Sequence, residues 1–145
     1  MPLAKIHTAI SASALIVLAG ACASAYAADP AIDPAMMLTG SQEVPPVETK
    51  ASATSSITVG EDMAVTGSVM VSGMVATVAH IHEGAPGVSG PPIVTLVKAS
   101  DTQWSVPANT KLSAEQFKEY KAGNLYVNVH SAAYKNGEIR MQLKP

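Results

Sequence analysis

Thr77-Val78-Ala79-His80-Ile81-His82-Glu83-Gly84 reads as a β-strand running into a loop. Residues two apart on a strand share a face, so His80 and His82 project side by side. A second run, Tyr126-Val127-Asn128-Val129-His130, has the same character. It sets Tyr126, Asn128 and His130 on one face. If the two strands pair, His130 arrives beside the other two. Three imidazoles converging from two strands form a donor set suited to copper or zinc. The fourth histidine, His7, falls in an N-terminal stretch that reads as cleavable.

The flanking sequence continues the β pattern. Ser52–Val59 ends at Gly60-Glu61-Asp62, a turn signal. Met63–Val71 follows, then Met74–His82 after Gly73, then a Gly/Pro loop from Glu83 to Pro92. Ile93–Val97, Tyr126–His130 and Glu138–Leu143 complete the strands. In the last, Ile139, Met141 and Leu143 share one face. One helix is signalled near residues 113–122. Ser113 and Gln116 have capping-box spacing, Leu112 and Phe117 that of a hydrophobic staple, and Gly123 is the stop. Many short strands with Gly/Pro turns predict an all-β chain, an antiparallel, Greek-key-like β-sandwich with that one short helix.

The N-terminus reads as an export signal over residues 1–27: Lys5, a small-and-apolar run from Ala9 to Ala21, and Ala25-Tyr26-Ala27 as the cleavage pattern. Residues 28–36 read as an extended lead-in and 37–145 as one domain. Removing 27 of the 145 residues leaves 118, enough for one core. The single cysteine, Cys22, leaves with the signal, so any metal must be held without thiolate. Lys5 also leaves, so 8 basic residues face 11 acidic ones, none of them in a basic cluster. That balance, with 4% aromatics in the chain, argues against nucleic acid as a partner and against a membrane beyond the signal itself.

Three blocks resemble the CHRD domain, a family found widely in exported bacterial proteins. They are Leu38–Val47, Ala79–Pro91, and Tyr126–Ser131 with Gly137–Arg140 and Gln142-Leu143. Glu83 and Met141 stand where the family commonly has glycine. The resemblance implies an all-β fold over 37–145 and no particular chemistry. The His-x-His with a distant His is also similar to the copper site of copper–zinc superoxide dismutases. The zinc-site histidines and the disulfide of those enzymes have no counterpart here.

The expected metal ligands are therefore His80, His82 and His130, with copper preferred and zinc second. Copper(II) outcompetes zinc at a given N/O site, and nearby thioethers would favour copper(I). Met70, Met74 and Met141 are the candidates, Met70 foremost. Met141 alternates with Ile139 and Leu143 and reads as core. Glu83 and Asn128 are further candidates for ligation or for orienting the site. Glu138 and Arg140 share a face and read as an ion pair, with Arg140–Glu43 as the alternative. No nucleophile motif is present, so an enzyme is not indicated. The expected role is periplasmic copper buffering, delivery or resistance. A copper-only dismutase and a metal-free CHRD interaction module are the alternatives, and a homodimer sharing one site stays open, as does any protein partner.

Overall fold

The computed structural model describes residues 33–145. The expected export signal, its cut after Ala27 and most of the lead-in lie outside the described residues. The end of the lead-in is not extended: Pro34–Met36 is a 3-10 turn. Pro34 supplies the φ that suits a first helical position, and the Asp33 carboxylate accepts from the Ala35 N–H at 2.8 Å.

Eleven strands and one helix follow: β1 (Met37–Thr39), β2 (Ser52–Ser55), β3 (Thr58–Val59), β4 (Val65–Thr66), β5 (Ser68–Ser72), β6 (Ala76–Glu83), β7 (Pro92–Thr95), β8 (Val97–Lys98), β9 (Gln103–Ser105), α1 (Ala114–Lys121), β10 (Leu125–Ser131) and β11 (Ile139–Gln142). Nine of the strands form one sheet in the order β7-β6-β10-β11-β1-β2-β5-β9-β8, and β3 and β4 make a separate hairpin. All its pairings are antiparallel.

The edge strands β7 and β8 are separated in the chain by Leu96 alone. The sheet must therefore curl until its two edges nearly meet. The Leu96 N–H bonds the Ala79 carbonyl on β6 at 2.9 Å, while Val97 pairs with Ser105 on β9. The expected sandwich is thus one continuous sheet, nearly a closed barrel, which leaves little free strand edge.

Strand alternation fills the interior. Ala79 and Ile81 of β6, Leu125, Val127 and Val129 of β10, and Ile139 and Met141 of β11 are buried in one core. Burying a side chain such as Ile81 or Val127 contributes roughly 1.5–3 kcal/mol. Strand β9 has only three residues, too few for a periodic signal, but its Trp104 pairs with Val69 and is buried. The helix forms as its caps dictate. Ser113 Oγ accepts from the Gln116 N–H at 3.2 Å, and Gln116 Oε1 accepts from the Ser113 N–H at 2.9 Å. Among the described residues no helix is long and apolar enough to cross a membrane.

The other face of β10 is also buried, so that all seven of its residues are out of water. Outward-facing residues of a barrel are normally solvated. Here Glu43, Val44, Ser89 and Gly90 lie against them, and this face carries the histidines.

Candidate metal centre

Pairing places the site. β6 runs antiparallel to β10 with His82 opposite Tyr126, His80 opposite Asn128 and Val78 opposite His130. His130 is thus diagonal to His80, within reach of a large side chain. The ring centroids are 5.0 Å apart for His80–His130, 5.4 Å for His80–His82 and 6.2 Å for His82–His130. One nitrogen from each ring lies within 4.8 Å of the others. The sheet is irregular at both ends of the cluster, between Ile81 and His82 against β7 and between His130 and Ser131 against β6. Such irregularities re-aim side chains.

The backbone sets the tautomers. His82 Nδ1 is 2.8 Å from the Gly90 carbonyl, and His130 Nδ1 is 2.8 Å from the Lys135 carbonyl. A carbonyl only accepts, so both Nδ1 atoms carry the proton and both Nε2 atoms are left as acceptors. The His130 Nε2 is 3.1 Å from His80 Nδ1. The His82 Nε2 is buried with no partner at all. A ring N–H donated to a backbone carbonyl, with the other nitrogen bare, is the arrangement of metal-bound histidine.

Burial holds the His80 and His82 pKa values below the ordinary histidine value, and the neighbouring imidazoles add to the effect. For His82 the Gly90 carbonyl and, less strongly, hydrogen bonding to the Asn128 side chain oppose the shift. Both rings are therefore neutral at neutral pH, as ligation requires.

Tyr126 stacks on His82, with centroids 4.8 Å apart and planes 11° from parallel. The Arg140 guanidinium lies over the same phenol ring at 3.5 Å. The Tyr126 hydroxyl accepts from the Gly90 N–H at 3.1 Å and donates to the Gly90 carbonyl at 3.3 Å. Gly90 therefore joins His82 to Tyr126. No larger residue fits there, because a Cβ would collide with the Glu83 carbonyl oxygen.

Neither expected ion pair forms. Glu138 Oε1 accepts from Thr49 Oγ1 at 2.6 Å. Arg140, 2% exposed, donates from Nη2 to the Ala85 carbonyl at 3.2 Å and to Gln142 Oε1 at 3.0 Å. Its Nη1 has no partner. The ion pairs among the described residues are Lys98–Asp101, Lys111–Asp62 and Lys121–Glu61. Burial lowers the Arg140 pKa, with Tyr126 and Glu43 opposing, and raises that of Glu43, with the Val44 backbone, Arg140 and Asn128 opposing.

A family model for the CHRD domain matches residues 35–143. The chain belongs to the CHRD domain family. No curated protein and no solved structure matches it. All three clustered histidines fall within the matched part of the CHRD domain.

Of the residues proposed from sequence, the CHRD fold brings together His80, His82, His130 and Asn128. It does not bring Met70, which lies on β5, separated from β10 by β11, β1 and β2, and is 46% exposed. Met141 packs in the core and Met74 against it. None of these three thioethers therefore reaches the histidines, because strand order, not sequence distance, decides which strands adjoin. Glu83 follows His82 on β6 and falls on the opposite face. Sequence reasoning missed the positioning roles of Gly90, Tyr126 and the Lys135 carbonyl, and it read Glu43 only as an ion-pair partner. Glycine at 90, inside a Gly/Pro loop beside the His-x-His strand, was the one available signal.

Proposed function

We propose that this CHRD domain binds one copper ion through His80, His82 and His130, in an exported protein that buffers or delivers copper. The observation that carries the reading is the bare, buried Nε2 of His82 beside two more imidazole nitrogens. A buried acceptor without a partner is costly unless something fills its place. A metal ion fills it and accepts all three lone pairs. The donor set is nitrogen only, which suits copper and zinc, and copper(II) binds such sites more tightly. The preference rests on the imidazoles alone, since Met70, Met74 and Met141 lie elsewhere. When bound, the ion supplies one-electron redox chemistry or simple sequestration. The chain's own residues hold the ring tautomers, stack against His82 and keep water from most of the site. Export to the periplasm rests on the N-terminal pattern of residues 1–27.

The test is copper titration of the mature, tag-free protein, read by absorption and paramagnetic resonance. One Cu(II) per chain with nitrogen hyperfine coupling, lost in His82→Ala, supports the site. A dismutase assay then separates an enzyme from a buffering protein. Failure to bind either copper ion or zinc at micromolar protein sinks the metal reading and leaves an interaction module.

A further inference from the structure

Beside the histidines lie unpaired polar atoms that the three-ligand reading leaves unused. Glu43 is 6% exposed and Asn128 2%. Glu43 Oε1 and Asn128 Oδ1 are both buried without a hydrogen-bond partner. Their side chains line one cavity of about 370 Å³ together with His82, His130 and Tyr126. The backbone is shaped around the pair. Gly137 has φ +124°, and a Cβ there would lie 2.5 Å from Glu43 Oε1 and 2.6 Å from Asn128 Nδ2. Lys135 also lines the cavity. Arg140, on the same sheet face, is turned to Ala85 and Gln142, and neither cation forms an ion pair with Glu43.

Two buried acceptors facing one chamber call for a donor within it. The chamber also opens on the histidine nitrogens, whose metal would have a vacant position after three protein ligands. One kind of molecule satisfies all of these groups. It offers an electron pair to the metal and two O–H or N–H bonds to the acceptors. Water is the smallest such molecule, and the cavity is large enough for it. An anion without protons leaves both acceptors bare and meets the carboxylate unfavourably.

We propose that Glu43 and Asn128 form the hydrogen-bond-accepting wall of a small-ligand compartment beside the three histidines, one that takes water or a comparably small, neutral, protic molecule and discriminates against anions. The inference rests on the metal reading of His80, His82 and His130. It adds a chemical class of ligand, and it places Glu43, which forms no ion pair, in the site.

The experiment uses the copper-loaded mature chain with azide as the anionic probe. Wild-type protein should show a strong proton hyperfine coupling on the Cu(II) signal, beyond the weak one of the histidine ring N–H groups, that disappears in deuterated water. Azide should bind about tenfold more tightly to Glu43→Gln, because one negative charge is removed from the lining of the same cavity. Asn128→Asp adds a charge on the same wall, so azide should bind it about tenfold more weakly. If Glu43→Gln fails to fold, the second variant and the wild-type proton signal decide. Azide affinities within about twofold of one another across the folded proteins, or no exchangeable proton on the wild-type copper signal beyond those of the ring N–H groups, would overturn the inference while leaving the three-histidine site standing. Wild-type protein that takes up no copper would overturn the metal reading, and this inference with it.

Discussion

Replacing His82 with phenylalanine should stabilise the metal-free protein and abolish its stabilisation by copper. In the free protein the His82 Nε2 is buried without a partner, which costs about 1–3 kcal/mol. Phenylalanine removes that atom. It also removes the bond from Nδ1 to the Gly90 carbonyl, 2.8 Å long, a net loss of about 1 kcal/mol. The carbonyl is not orphaned, because the Tyr126 hydroxyl still donates to it at 3.3 Å. The stack on Tyr126 survives, as a phenyl ring can occupy the same plane. The balance favours phenylalanine by about 1 kcal/mol, or roughly 4 °C in Tm for a domain of this size. Copper reverses the order. At a free concentration about 100-fold above Kd the wild type gains about 2.7 kcal/mol, and a variant lacking one ligand gains little. Thermal unfolding followed by circular dichroism, in chelator and then in buffered copper, reads both numbers. A metal-free variant destabilised by about 2 kcal/mol or more would show that His82 is a satisfied structural residue, against the orphaned-nitrogen argument. Equal copper stabilisation of both proteins would show that His82 is not a ligand.

Gly90→Ala forces the loop away from the Glu83 carbonyl and takes with it the carbonyl that orients His82. We expect a loss of about 1–3 kcal/mol in urea unfolding and copper affinity lowered about 10–100-fold in a chelator competition. The metal-free protein should lose stability as pH falls through the ordinary histidine value of 6.5. His80 and His82 have depressed values when folded, so the unfolded chain binds more protons in that window and stability rises with pH. Glu43, with a raised value, works in the opposite sense from about 4.5 upward. Equilibrium unfolding at a series of pH values should show the histidine slope in wild type and a smaller one in His80→Gln; equal slopes would refute it. Ser113→Ala removes the hydroxyl that accepts from the Gln116 N–H at the start of α1 and should cost about 1 kcal/mol without changing copper affinity.

Much was legible along the chain because it depends on neighbours in sequence. The alternation in Tyr126–His130 and Thr77–Glu83 sets which residues share a face, since the strand repeat is two whatever the fold. That was enough to place His80 beside His82, to group Asn128 with His130 and to turn Met141 inward. The helix was readable for the same reason: Ser113, Gln116 and Gly123 act within one turn of its ends. Short strands such as β9 were not readable, because three residues carry no period.

What the chain could not declare locally was which strands adjoin and what covers them. The pairing of β6 with β10 brings His130 to His80, and the order β10-β11-β1-β2-β5 takes Met70 away. The closure through Leu96 and the burial of the outer face of β10 depend on contacts between residues far apart in sequence. So do the carbonyls of Gly90 and Lys135 that set the ring tautomers, and the arrival of Glu43 beside them. Sequence by itself determined the faces of the strands and the chemistry of the side chains upon them, because backbone geometry and nearest neighbours suffice for both. Only the tertiary structure decided that three of those side chains meet, with one bare nitrogen and a cavity beside them, because strand order and burial are settled by the free energy of the whole packed chain.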